Sequence, residues 1–249
     1  MCIRDRKTTD GLYVFSCGIA AKQMADKVNA RIVSNGVKGE VHTYSVTDYA
    51  ESVINAASGV YSDKAVNAVK AMLNYGTAAQ QYFGYNTDNP ANSIMTDDDK
   101  NMDMVGFNTY TGKLVNADSV SGISYYGSSL VLESDTILRN YFELSDGYSI
   151  DNYTFYVKDK DGNKNIIVPQ KTDASLYYID ISNVKAYELA DNVNIYVQKN
   201  GDSEDKIMML EYGAYVYARY VDKYLDNTAL KNLMTAMYHY CNAATEYAN

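Results

Sequence analysis

Residues 13–36 of this chain return, with substitutions, at 178–201. Tyr13, Ala21, Ala25, Asp26, Val28, Asn29, Asn35 and Gly36 fall on Tyr178, Ala186, Ala190, Asp191, Val193, Asn194, Asn200 and Gly201, an offset of 165 positions. The same offset reappears downstream, where NAVKAMLNYGTAAQQYF (Asn67 to Phe83) meets NLMTAMYHYCNAATEYA (Asn232 to Ala248). Between the two blocks the offset is 168, pairing Tyr44, Tyr49, Ala50 and Val53 with Tyr212, Tyr217, Ala218 and Val221. The three-residue shifts fall where loops are expected. A chain that repeats in this way builds the same supersecondary unit more than once.

The matched positions have a structural meaning. Ala65, Ala68, Met72, Tyr75, Ala79 and Tyr82 step by three and four, which draws one stripe along a helix, and Leu230, Leu233, Met237, Tyr240, Ala244 and Tyr247 draw the same stripe. Both copies are expected to bury this face against a sheet. A shorter helix precedes the first stripe, with Val46, Tyr49, Ala50, Val53, Ile54 and Ala57 at helical spacing and Ser45 and Asp48 placed as a capping box. The brief turn at Ser62 and Asp63, matched by Asn227 and Thr228, predicts an antiparallel helical pair. Upstream of the second pair, period-two patterning predicts strands at 129–133, 137–144, 153–158, 165–168, 176–184 and 193–199. Hairpin turns are expected at Asp146–Gly147 and at Asp161–Gly162.

The expected fold class is therefore α+β, a tandem repeat of a small antiparallel β-sandwich followed by an antiparallel two-helix hairpin, with the first copy truncated at its front. The boundaries are 7–84 for the truncated copy, 85–104 for a linker rich in Asn and Asp, and 105–249 for the complete copy. Within the complete copy the sandwich takes 105–200 and the helical hairpin 207–248. The first six residues, MCIRDR, match nothing in the repeat and read as a translated adapter or cloning scar, with the true N-terminus missing.

An apolar content of 47% over 249 residues is enough for a substantial core. A net charge of -9 opposes phosphate backbones and anionic head groups, so neither nucleic acid nor a bare membrane surface is an expected partner. Direct membrane insertion is not expected either, since no apolar run reaches bilayer-spanning length. Cys2, Cys17 and Cys241 lack metal-ligand spacing; Cys17 on a strand and Cys241 on a helix are read as buried free thiols.

Residues able to carry chemistry are few. The two histidines are His42, placed in a loop, and His239, on a helix; the position matching His239 in the first copy is Asn74. Neither adjoins a nucleophile elbow. Glu133 and Glu143, on adjacent predicted strands, are the candidate carboxylate pair for glycoside hydrolysis, with solvent-facing strand positions as the plainer reading. Asp97, Asp99, Asn101 and Asp103 alternate as oxygen ligands do in a calcium loop, but Met102 and Asn108 stand where an EF-hand needs glycine and glutamate. Asp159, Asp161 and Asn163 read as a hairpin tip. The 26 tyrosines, with Tyr217, Tyr220 and Tyr224 in a helical stripe and Tyr125, Tyr126, Tyr177 and Tyr178 paired on strands, serve either core packing or a sugar or protein surface. A carbohydrate-binding role would require an exposed, coplanar row of them. No catalytic, cofactor or metal-binding residue is assigned, and no cofactor is expected.

The strings YSVTDYAESVI, VKAMLNYGTAAQQYFGYNTDNPAN, SSLVLESDTILRNYFEL and IAAKQMADKV together resemble a module repeated in large secreted or surface-attached proteins of anaerobic Gram-positive gut bacteria. The resemblance covers nearly the whole chain after residue 10. It implies an extracellular, Ig-like sandwich with an appended helical pair, an accessory part of a larger polypeptide that carries no catalytic residues. The function expected is a non-catalytic binding or spacer module, with a protein or polysaccharide as ligand. The alternatives are a carbohydrate-binding module or part of a glycoside hydrolase.

Overall fold

A computed structural model describes residues 3–7, 11, 13–103, 120–132, 136–159, 161–182, 184–191, 193–202, 206–210 and 226–249. The protein is α+β, with antiparallel sheets and, among the described residues, four α-helices. It divides into two compact units. One holds residues 1–105, 132–135 and 227–249; the other holds 106–131 and 136–226. Expectations for 105–119, for Glu133 and for the tyrosine stripe at 217–224, in the first helix of the second pair, lie outside the described residues.

In the first unit, β1 (Ile3–Lys7) pairs antiparallel with β2 (Tyr13–Cys17). β3 (Val28–Ser34) and β4 (Val37–Tyr44) form a hairpin whose two-residue turn is Asn35–Gly36, both at positive φ (48° and 81°). That pair of angles matches the strand twist, and Asn-Gly tolerates it best. His42 lies in β4 opposite Ala30 rather than in the expected loop, because period-two alternation continues through it.

Two helices follow. α1 (Val46–Ile54) is capped by Ser45, whose Oγ accepts from the Asp48 N–H at 2.9 Å. α2 (Asp63–Phe83) begins at Ser62, whose Oγ accepts from the Ala65 N–H at 3.2 Å. It ends at Gly84, left-handed at φ 60°, with the Tyr85 N–H closing back on the Gln80 carbonyl at 2.9 Å. A single turn, α3 (Asp97–Lys100), comes next, and the chain's last element is α4 (Thr228–Ala248), capped through the Asn227 side chain.

α4 packs on α2. Tyr75 and Tyr240 stack with ring centroids 5.8 Å apart, and Asn232 and Thr235 near the start of α4 share a cleft with Thr77, Ala78 and Gln81 near the end of α2, so the helices run antiparallel. The two tyrosines therefore face each other across a helix pair, where the stripe had been expected to face a sheet. α2 is also buried on more than one side: every residue from Leu73 to Gln80 is buried, whereas Met72 is half-buried and Tyr82 exposed. On α4, Leu230, Leu233, Met237 and Ala244 are buried, and Tyr247 is exposed.

In the second unit two four-stranded antiparallel sheets face each other. The first runs β5 (Ile123–Leu132), β6 (Thr136–Leu144), β10 (Tyr177–Ile181), β9 (Gln170–Lys171); the second runs β12 (Lys206–Leu210), β11 (Asn194–Lys199), β7 (Tyr153–Lys158), β8 (Lys164–Ile167). Leu138, Phe142 and Ile179 from one sheet and Phe155, Ile195 and Val197 from the other are fully or nearly fully buried. The Phe142 and Phe155 rings meet at 5.1 Å and join the sheets. Asn140, buried among them, is satisfied by Ser128 Oγ at 2.7 Å. The Asp161–Gly162 turn closes the β7–β8 hairpin, as its sequence predicts. Asp146–Gly147 does not close one. β6 pairs within the first sheet and β7 within the second, so that turn passes the chain between sheets.

Candidate functional site

Segment 85–103, polar enough to read as a linker, is folded onto α2. Asn74, Thr77 and Gln80 are spaced by three and lie on one side of the helix, and all three are buried. Gln80 Oε1 accepts from the Ala91 N–H at 2.8 Å, and its Nε2 donates to the Asn86 and Asn89 carbonyls at 3.2 and 3.0 Å. Thr77 Oγ1 accepts from the Asn92 N–H at 2.9 Å. Asn74 Oδ1 accepts from Asn92 Nδ2 at 2.8 Å, while Asn74 Nδ2 donates to the Asp99 carbonyl at 2.8 Å. Side-chain amides here supply the hydrogen bonds that a loop without secondary structure cannot make to itself. Ala91 and Met95 bury their side chains in the same contact.

Charges finish the docking. Lys70 Nζ meets Asp99 Oδ1 at 2.8 Å; that hydrogen bond holds the Asp99 carboxyl below the usual carboxylate range, against the opposing effect of burial. The Tyr85 hydroxyl donates to Asp26 Oδ2 at 2.6 Å, which raises its own pKa. His239 Nε2 donates to the Asp103 carbonyl at 2.8 Å, tying the end of the segment to α4. Between α2, α4 and this segment lies a cleft of about 220 Å³, presenting Asn74, Thr77, Gln81, Asn92, Lys100 and Asn232. Its lining offers hydrogen-bond donors and acceptors to a small polar ligand, but no base sits beside a nucleophile.

The residues singled out for chemistry are dispersed. His239 is engaged by a backbone carbonyl, and His42 sits exposed on β4 with its ring 6.5 Å from Tyr44. Glu143 is exposed on β6, and Glu133 lies outside the described residues. Of the alternating acids, Asp97 and Asp99 occupy the single turn of α3, where Thr96 caps the helix and Asp99 is held by Lys70. Among the described residues, no three His, Cys, Asp or Glu side chains are grouped so as to hold a metal ion. Asp159 at the β7–β8 tip accepts from the backbone N–H of Asp161 and of Asn163 and from Asn163 Nδ2, and these bonds lower its pKa. The two described thiols differ, Cys241 buried and Cys17 half-buried.

Four of the strand tyrosines use their faces on one another and on cations, whereas Tyr126 on β5 is exposed. Tyr156 and Tyr196, cross-strand partners on β7 and β11, stack at 5.2 Å and 6°, with Lys164 over Tyr156 and Lys158 over Tyr196. On the other sheet Tyr141 and Tyr178 are inclined by 51°, and Arg139 lies 4.1 Å over Tyr178 while binding Asp180 through both carboxylate oxygens at 2.7 and 2.8 Å. A flat sugar platform needs open, coplanar rings, and these pairs are filled or tilted.

The amide spacing on α2 was available in the sequence and was missed, because Asn, Thr and Gln on a helix ordinarily face water. Comparison of the chain with protein-family models, with curated proteins and with solved structures gave no match. Among the described residues no helix is long and apolar enough to cross a membrane.

Proposed function

We propose that this chain is a non-catalytic binding or spacer part of a larger extracellular bacterial protein, composed of one truncated and one complete copy of a sandwich-plus-helical-hairpin module. The observation that carries this reading is the use to which the polar side chains are put. Asn74, Thr77, Gln80, Lys70, Asp99 and His239 each bind the chain's own segments, which makes a rigid body rather than a reactive centre. Matching elements support the duplication. α2 and α4 begin and end 165 residues apart, each capped by the residue before it, and the 3-10 turns Ala21–Gln23 and Ala186–Glu188 keep the same offset. Gly36 and Gly201, matched again, both have positive φ.

The test is turnover and binding by one preparation. Incubated with polysaccharides and chromogenic glycosides, the chain should release no reducing ends, and insoluble polysaccharide or immobilised host protein should retain it if it is a binding module. Hydrolysis that disappears in Glu143→Gln would replace this reading with a glycoside hydrolase. Antibody to the chain should label intact cells of a bacterium that makes it, and labelling only after lysis would contradict an extracellular location.

A further inference from the structure

β3 of the first unit and β11 of the second occupy matching positions in the repeat, yet their surroundings differ. β11 lies between β12 and β7, and Val197 on it stands opposite Phe155 of β7 in the sandwich core, 0% exposed. The matching residue on β3 is Ile32, and it is 74% exposed. Among the described residues β3 pairs with β4 alone, and the edge that β11 gives to β7 takes no described strand on β3. The exposed face is apolar in the sense that a core face is. Val28, Ala30 and Ile32 alternate along β3, and Tyr44, paired with Val28, and Val37, paired with Ser34, extend the same side on β4, with Ser34 and with His42, paired with Ala30, as its polar members. Val37 is 73% and Tyr44 60% exposed. The opposite face carries Asn29, Arg31, Lys38 and Thr43 together with Val33 and Val41, so it is the more polar of the two, and Thr43 Oγ1 donates to Asn29 Oδ1 at 2.7 Å. A largely apolar strand face beside an edge that pairs with no strand among the described residues is rare on a protein that keeps it in water.

We propose that this edge is a strand-accepting site. Its occupant is an extended antiparallel segment with the alternation of β7, donated by another module of the same kind, which sets a large apolar side chain beside Ile32 as Phe155 sits beside Val197. The inference rests on the module reading given above, since the repeat is what identifies β7 as the template. Main-chain hydrogen bonds along β3 supply the attachment, and the apolar side chains of Ala30 and Ile32 supply the register.

The experiment uses the full chain and a synthetic peptide of residues 152–168, the β7–β8 hairpin, with a scrambled peptide as control. Calorimetry should show saturable one-to-one uptake of the hairpin and none of the scramble, and hydrogen exchange should show the β3 amides slowed by it. Ile32→Asp and, independently, Val37→Asp should weaken uptake about tenfold or more, while Val33→Asp on the other face should change it by less than about threefold. Both core-face side chains are exposed, so the melting temperature of each variant should match the parent. Failure of the hairpin to saturate at about 1 mM, or equal losses from Ile32→Asp and Val33→Asp, would overturn the site. A parent chain that sediments as a dimer and takes up no hairpin would also overturn it, because a second copy of this chain would then cover the face by other contacts. Glycan turnover would remove the module reading whatever the hairpin does; a chain without turnover that ignores the hairpin removes this inference alone.

Discussion

Gly76 shows how one hydrogen in place of a methyl group decides a contact. A Cβ there would stand 2.7 Å from Met24 Sδ, 3.1 Å from Ala91 Cβ and 3.3 Å from the Ala21 carbonyl. The Met24 tip can swing away; the Ala21 carbonyl, held in a 3-10 turn, and Ala91, held by Gln80, cannot. Alanine gains about 1 kcal/mol in helix propensity, and overpacking a close contact costs about 1–3 kcal/mol, so Gly76→Ala should destabilise the first unit by up to about 2 kcal/mol in chemical denaturation. A gain in stability would mean that the 3-10 turn moves off α2 without penalty. Asp99 gives a pH signature. Its folded pKa lies below the unfolded value, so its contribution is present above the ordinary carboxylate pKa of about 4 and is lost as pH falls through the depressed one. Asp99→Asn should therefore lower stability at pH 7 and flatten the decline that begins as pH falls below about 4. Parallel acid titrations of stability for parent and variant check it; curves of identical shape would remove the Lys70 pair from the account.

Among the elements, the helices were the most legible, because their caps are written in single residues. Ser45, Ser62 and Asn227 each bond the N–H three residues on, and α1, α2 and α4 start where those residues say. Strands were legible where one face is buried: 153–158 was expected and found without adjustment. Sheet membership was not, since a turn such as Asp146–Gly147 has the same local chemistry whether the next strand stays in its sheet or leaves it. Nor was the docking of 85–103, which depends on polar side chains of α2 meeting backbone groups up to 25 residues away. Gln80 makes that dependence measurable. Gln80→Leu leaves the Ala91 N–H and two carbonyls without their partner, at roughly 1–3 kcal/mol for each group that stays dry, and we expect about 2–4 kcal/mol in all. Limited proteolysis should then cut within 85–95, where the parent resists; an unchanged digest would mean the segment is held by its other contacts, among them those of Asn74, Thr77 and Tyr85. Met237 on α4 is fully buried. Met237→Ala should cost about 2–5 kcal/mol through lost transfer energy and the cavity left behind, whereas Lys231→Ala should change little. Equal effects from the two would show that burial on α4 is not what holds it.

For the whole molecule, unequal cover predicts unequal protection. β3 and β4 expose every residue but Val28, whereas β6, β7 and β11 line a closed core. Amides of the 28–44 hairpin should exchange orders of magnitude faster than those of the sandwich, and uniform protection would contradict this. The pairing of α2 with α4 has a further consequence, in the order in which the molecule is made. The first unit takes its final helix from residues 227–249, so the intervening chain must be synthesised before Tyr75 can meet Tyr240. At about 5–20 residues per second, that interval is on the order of 8–33 s. For that time the nascent N-terminal unit is open along α2 while the sandwich can already close. A message truncated after Asp226 would therefore yield a protein whose damage lies at the end opposite the stop codon, with the early-made unit left open.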